Sequence, residues 1–175
     1  AGKRCSVFHN WEPLRDVNRP EALYSIFYTN TSYQADGDSF VAEAAARDIP
    51  RFKPDFAFVY LGTVDTSGHA YGWMSDGYLK QVETVDAELG LVLNALPAAA
   101  HIVLQADHGG HDRGHGTEMP EDMTIPWMAS GPSVKAGHQI SSPVSLLDTA
   151  PTLARMMGLD AHPHWEGKVV DEIFA

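Results

Sequence analysis

The sequence predicts an α/β fold in three layers, with a mainly parallel sheet between helices. Residues 55–61 and 101–104 are nearly continuous apolar runs, which is typical of strands covered on both faces. Between them, apolar residues recur every three or four positions from Tyr78 to Leu96, and this spacing predicts an amphipathic helix. Strand, helix and strand at this spacing form a βαβ unit, so we expect the two strands to be parallel.

Upstream of this unit the sequence predicts two further strands and one helix. Residues 5–9 and 23–28 are rich in the aliphatic and aromatic side chains that strands favour. The helix is expected to begin near Asp38, a plausible N-cap residue. Pro50 and Pro54 are expected to end it and to lead into the next strand.

Downstream, the run that begins at Ile125 predicts another strand, which Pro126 places at an edge or at the start of the strand. A helix is predicted after Asp148, with Pro151 in its first turn and Gly158 as its C-terminal stop. The tail from residue 162 is expected to be irregular. We therefore expect residues 1–175 to form a single α/β domain.

Charge and composition exclude several classes of partner. The chain has 175 residues, of which 23 are acidic and 12 basic, for a formal net charge of -11. No basic stripe is present to neutralise phosphates, so a nucleic-acid backbone or an anionic membrane surface is not an expected partner. The single cysteine, Cys5, excludes an internal disulfide. Because no membrane span or signal-peptide pattern is visible, the expected compartment is the cytoplasm.

Two clusters of metal-ligand side chains follow the two strands of the βαβ unit. Asp65 and His69 are four residues apart, so one helical turn would place both side chains on the same side. The second cluster has three histidines and two aspartates within nine residues: Asp107, His108, His111, Asp112 and His115. Chemistry in open α/β sheets lies beyond the carboxyl ends of strands, which is where both clusters fall. The alternative is a solvated, histidine-rich turn that binds nothing.

The number of ligands predicts a binuclear metal site. Zinc takes three or four nitrogen and oxygen ligands, and the two clusters offer more than one ion needs. Paired ions about 3.5–4 Å apart serve phosphoryl chemistry.

A Ser-His-Asp hydrolase built on Ser67 is the competing enzyme, but no Gly-x-Ser-x-Gly elbow occurs. A phosphate-binding P-loop is absent as well. A non-catalytic metal-binding or interaction module is the alternative of another class.

The motifs at residues 65–72, 107–109 and 115–117 resemble the C-terminal metal motifs of the alkaline phosphatase superfamily, in particular its type I phosphodiesterase/nucleotide pyrophosphatase branch. Residues 120–127 and 148–153 are similar to downstream segments of that branch. Several motifs occur in the right order, so the resemblance is specific. It covers the chain from about residue 55 to the end.

The resemblance implies an alkaline phosphatase-like fold and a ligand set. Asp65, His69 and His115 would hold one ion, with His111 as the alternative to His115. Asp107 and His108 would hold the other ion, together with an aspartate from the family's N-terminal half. Two divalent ions are expected, Zn²⁺ first and Mn²⁺ second. They would clamp a phosphate while a Thr or Ser attacks phosphorus.

The sequence departs from the family pattern in its first 54 residues, where no metal-binding aspartate and no Thr or Ser nucleophile has the expected arrangement. The chain is therefore expected to be the C-terminal portion of a larger metal-dependent phosphodiesterase or phosphatase, and to be inactive alone. Its substrate would be a small phosphate ester or a nucleotide-type molecule. Cofactor-independent phosphoglycerate mutases and phosphonoacetate hydrolases of the same superfamily remain alternatives. An arylsulfatase is disfavoured, because Cys5 has no formylglycine motif around it.

Overall fold

The computed structural model describes residues 2–17 and 21–175, which form two compact units. The amino-terminal unit comprises residues 2–97 and 110–116, and the carboxy-terminal unit comprises residues 98–109 and 117–175. Among the described residues, no helix is both long and apolar enough to cross a lipid bilayer.

A parallel sheet forms the centre of the amino-terminal unit. Within the described part of this unit the sheet has three strands, in the order β2-β1-β3, and both outer strands run parallel to β1. Phe8 pairs with Phe27 on one side and with Val59 on the other. The strands and helices of the unit are β1 (Cys5–His9), β2 (Ser25–Tyr28), α1 (Gly37–Phe52), β3 (Phe56–Val59), α2 (Thr63–Tyr71) and α3 (Asp76–Ala95).

The core of this unit lies between the sheet and helices α1 and α3. Small side chains of α1 are completely buried, so the helix can lie close to its neighbours. The buried core residues are Phe8, Val41, Ala42, Ala44, Ala45, Ile49 and Val92. Helix α3 covers the predicted segment to within two residues at each end, and Ser75 caps it by accepting a hydrogen bond from the backbone N–H of Tyr78. The parallel sheet and its helices confirm the predicted α/β class.

Two details of the prediction for α1 are wrong. The N-cap is Asp36, while Asp38 lies inside the first turn and is completely buried. Pro50 lies within the helix, which continues for two residues to Phe52 although the proline cannot donate a helical hydrogen bond. The helix ends where Lys53 adopts the left-handed conformation with φ 48°.

The carboxy-terminal unit contains a second sheet, and its strand pairing differs from the prediction. Strand β4 (Ile102–Gln105) is antiparallel to β5 (Trp127–Ser130), with Leu104 opposite Met128. Within residues 2–17 and 21–175, β3 and β4 belong to different sheets. The predicted parallel βαβ pairing of these two strands is therefore wrong. An apolar run predicts burial, but it carries no information on which strand is the partner or in which direction it runs.

The rest of this unit contains short helices and irregular chain. Helix α4 spans Pro120–Met123 and α5 spans Thr149–Met156. Asp148 is the N-cap of α5, as predicted, but its carboxylate accepts hydrogen bonds from the backbone N–H groups of Ser145 and Lys168, at 2.9 and 2.8 Å. The tail is irregular apart from a 3-10 turn at Asp171–Ile173.

Candidate metal centre

Asp65 and His69 lie on one side of α2, as their four-residue spacing predicts. His69 Nε2 is 3.4 Å from Asp65 Oδ1. Both side chains remain partly accessible, at 47% for His69 and 37% for Asp65. The pair is therefore only partly buried, although the Oδ1 atom of Asp65 itself is buried.

His115 comes from the 110–116 loop of the same unit and meets the same carboxylate oxygen. Its Nε2 is 3.4 Å from Asp65 Oδ1, and its ring centroid is 5.1 Å from that of His69. Metal–ligand bonds of 2.0–2.2 Å in a tetrahedral site place neighbouring ligand atoms roughly 3.3–3.6 Å apart. The separations of Asp65 from His69 and from His115 match that spacing, so each of the two histidines lies where it could share a divalent ion with Asp65.

A tight turn brings His115 to this position. His111 N–H donates to the carbonyl of Gly114, and Gly114 N–H donates back to the carbonyl of His111, at 3.0 and 2.9 Å. Asp112, inside the turn, adopts a positive φ of 45°. The turn is joined to the end of α2, because Trp73 N–H donates to the Asp112 carbonyl at 2.8 Å. The backbone of His111 thus forms the turn, and the chain that leaves the turn supplies His115.

The other ring nitrogen of His69 is also engaged by this loop. His69 Nδ1 is 2.9 Å from the carbonyl oxygen of Arg113, which can only accept a hydrogen bond. We assign the proton to Nδ1 on this basis. The lone pair of Nε2 then faces Asp65, and the carbonyl fixes the ring in a ligand orientation.

Trp73 packs against both histidines. Its ring stands edge-on to His69, with a centroid distance of 5.1 Å, and lies 5.8 Å from His115. Two glycines make room for the indole: a Cβ at Gly110 would lie 2.2 Å from a ring atom, and one at Gly68 would lie 2.6 Å away. This contact could not be predicted from the sequence, because Trp73 lies outside the recognised ligand pattern.

Burial and the negative charge of Asp65 affect the pKa of the nearby Tyr78 phenol. Burial raises the pKa of the Tyr78 phenol, and the negative charge of Asp65 raises it further. Its ring is 6.1 Å from that of Trp73. Tyr78 therefore stays protonated and can donate a hydrogen bond at neutral pH.

Asp107 and His108 lie in the carboxy-terminal unit, just beyond β4. His108 Nε2 is 3.7 Å from Asp107 Oδ1, and the Asp107 side chain is 60% exposed. His108 Nδ1 is 2.7 Å from the carbonyl oxygen of Gly109, so this histidine too has one nitrogen held by backbone.

Asp122 binds Gly109 and Thr117, which precede and follow residues 110–116. Its buried carboxylate accepts hydrogen bonds from the backbone N–H and the hydroxyl of Thr117, both at 2.8 Å. The Asp122 carbonyl accepts from Gly109 N–H, also at 2.8 Å. In the sequence, residues 120–122 stand out only through the resemblance to a family, and nothing in their pattern indicates this role of Asp122.

Comparisons with known proteins identify a family. The sequence model described as "Type I phosphodiesterase / nucleotide pyrophosphatase" matches residues 1–122. This match includes the first 54 residues, in which the motifs gave no sign of the family, and it ends before the downstream segments that also resembled it.

Similar proteins include phosphodiesterases and a mutase. The chain is 30% identical to venom phosphodiesterase of Naja atra over 94 residues, 50% of this chain and 11% of the relative. It is 35% identical to phosphopentomutase of Idiomarina loihiensis over 119 residues, 67% of this chain and 29% of the relative. It is 29% identical to ectonucleotide pyrophosphatase/phosphodiesterase family member 3 of Bos taurus over 94 residues, 50% of this chain and 10% of the relative. The chain thus spans less than a third of each of these relatives.

Proposed function

Because the chain belongs to the type I phosphodiesterase/nucleotide pyrophosphatase family of the alkaline phosphatase superfamily, we propose that it forms part of a metal-dependent phosphoric-ester hydrolase. The family is one of phosphoryl-transfer enzymes. The names of the venom phosphodiesterase and of the ectonucleotide pyrophosphatase support a phosphodiester or nucleotide-type substrate.

One observation carries the metal dependence. The Nε2 atoms of His69 and His115 both lie 3.4 Å from Oδ1 of Asp65, a separation typical of two neighbouring ligand atoms at a tetrahedral ion. The mixture of imidazole and carboxylate favours Zn²⁺, with Mn²⁺ as the second choice. We assign these three residues to one ion.

Asp107 and His108 are the proposed ligands of a second ion. Carboxylate and imidazole are again the donors, and Gly109 orients the imidazole from its other nitrogen. Divalent ions bound by these residues would neutralise the charge that develops on the transferred phosphoryl group.

Three groups of the amino-terminal unit would have separate tasks in such a reaction. Asp65 would supply negative charge to a bound ion, and the Arg113 carbonyl would hold His69 in the tautomer that leaves Nε2 free to bind it. Trp73 covers one side of both imidazoles with apolar surface, which lowers the local dielectric and strengthens the electrostatic interactions there. The attacking Thr or Ser is expected in another part of the full-length protein, so this chain alone would have no turnover.

A phosphopentomutase-type activity is the second candidate, because a phosphopentomutase matches 67% of the chain. The test is to assay the full-length protein, loaded with Zn²⁺ or Mn²⁺, on bis(4-nitrophenyl) phosphate and on a pentose phosphate. We expect hydrolysis of the diester. Phosphate migration on the pentose without diester hydrolysis would favour the mutase, and bound metal without either reaction would favour a non-catalytic metal-binding module.

A further inference from the structure

We propose that Asp38 is a positioning residue for α2, the helix that carries Asp65 and His69. The inference rests on the proposed metal centre and deepens it. Asp38 lies in the first turn of α1 and has no exposed surface. A buried carboxylate is costly unless it is fully hydrogen-bonded, so its contacts indicate what it holds in place.

The Asp38 carboxylate caps α2 from outside that helix. The N-cap residue of α2 is Gly62, which has no side chain to offer. Instead, Gly62 N–H donates to Asp38 Oδ1 at 2.8 Å, and Thr63 donates to Oδ2 from its backbone N–H at 3.1 Å and its hydroxyl at 2.6 Å. Asp38 thereby satisfies two backbone donors and places negative charge at the positive end of the helix dipole.

Other buried polar groups fix Asp38 and Thr63 in turn. Asn10, at the end of β1, donates from Nδ2 to Asp38 Oδ1 at 2.6 Å. Gln81 of α3 donates from Nε2 to the Thr63 hydroxyl at 2.7 Å and to the Ala35 carbonyl at 2.9 Å. Asn10 is fully buried, and Thr63 and Gln81 are 2% and 8% exposed. The network therefore joins the start of α2 to the central strand and to both neighbouring helices.

The position of this helix start determines the metal geometry. Asp65 is two residues beyond Thr63, only about 3 Å along the helix axis. His115, the third ligand, belongs to a different segment, so any shift or rotation of α2 changes its distance from Asp65. Metal sites tolerate deviations of only about 0.2 Å in ligand distance. A carboxylate that fixes the first residues of α2 therefore sets the affinity for the ion.

The substitution Asp38→Asn tests the proposal. The side-chain NH₂ group of asparagine would face the N–H and O–H donors that now bind the carboxylate, while the volume of the side chain is almost unchanged. Co²⁺ replaces Zn²⁺ as a coloured probe, and its visible absorption reports the coordination geometry. We expect Asp38→Asn to weaken Co²⁺ binding roughly 10- to 100-fold and to change the intensity of the absorption bands at saturation. The chain should retain its far-ultraviolet circular dichroism.

Asp148→Asn is the matched control, because Asp148 is also a buried carboxylate that accepts backbone hydrogen bonds beside a helix start. It should lower the melting temperature and leave Co²⁺ affinity unchanged. If Asp38→Asn does not fold, Thr63→Val and Thr63→Ser replace it, and only the valine variant should lose affinity.

The outcomes separate the two proposals. Wild-type Co²⁺ affinity in folded Asp38→Asn, or equal affinities in the two Thr63 variants, would overturn the role of Asp38 while the metal centre stands. Failure of the wild-type chain to bind Co²⁺ at all would overturn the proposed metal centre itself, and the role of Asp38 with it.

Discussion

The carbonyl oxygen of Arg113 lies 2.9 Å from Nδ1 of His69, so the loop that supplies one proposed ligand also orients another. His115 follows Arg113 by two residues. Movement of this loop would withdraw His115 and release the ring of His69 at the same time. We therefore expect that displacement of this loop would weaken the binding of an ion by His69 and by His115 together.

The first prediction separates the two candidates for the distal ligand. His115→Ala removes a nitrogen 3.4 Å from Asp65 Oδ1 and should reduce Zn²⁺ affinity by about a hundredfold or more, beyond the effect usual for a supporting residue. His111→Ala keeps the backbone turn and should change the affinity by less than about tenfold. Isothermal titration with Zn²⁺ measures both. A larger loss in the His111 variant would reverse the assignment.

The second prediction concerns the packing of the Trp73 indole against Gly110. Gly110→Ala places a Cβ 2.2 Å from the indole, so the free energy of unfolding should fall by about 1–3 kcal/mol, as for overpacking. Zn²⁺ affinity should fall as well, because the displaced loop carries His115. Gly114→Ala is the control, since its Cβ would meet nothing within 4 Å. Urea unfolding of both variants gives the comparison, and equal losses would contradict the packing argument.

The third prediction concerns metal and pH. Histidines bind ions only when neutral, so a chelator should lower the melting temperature at about pH 7.5 and have little effect at about pH 5, below the ordinary range for imidazole titration. Differential scanning calorimetry with and without the chelator measures the effect. An unchanged melting temperature at the higher pH would count against the metal centre.

The fourth prediction concerns Glu88 on α3. Burial raises the pKa of its carboxyl to about 7, and the charges of Asp38, Asp36 and Glu43 contribute. Within the described part of the chain its Oε2 has no hydrogen-bond partner. The folded state holds this proton more tightly than the unfolded state does. The stability that Glu88 contributes through this proton is therefore fully present below about pH 4.5 and is lost as the pH rises through about 7.

Glu88→Gln removes this titration. The variant should match the wild type at about pH 4.5 and exceed its unfolding free energy by roughly 1–3 kcal/mol at about pH 8, the lower end allowing for screening by solvent. Glu83→Gln is the control, because Glu83 is a largely exposed partner of Lys80 on the same helix. Chemical unfolding at the two pH values measures the free energy of unfolding of each variant. If that free energy depends on pH in the same way for the wild type and for Glu88→Gln, the pKa of Glu88 is not raised in the folded state.

Local patterns predicted the parts of the site that are close together in sequence. The four-residue spacing of Asp65 and His69 fixes their relation as soon as the segment is helical, and α2 is helical there. The partner of β4 could not be predicted in the same way, because an apolar run does not specify which strand pairs with it. Its predicted cover on both faces was wrong as well, since Leu104 is 37% exposed. The contacts of Trp73 with His115, and of Asp38 with Thr63, join residues far apart in the chain. No periodicity in the sequence reports such contacts.

The convergence of Asp65 and His115 has a consequence for the unfolded chain. With its single cysteine the sequence can form no internal disulfide. An ion that both residues bind only in the folded chain would join positions about 50 residues apart and would lower the population of the unfolded chain by mass action. Metal supply would then set how often the amino-terminal unit opens, and with it the lifetime of the protein in the presence of proteases.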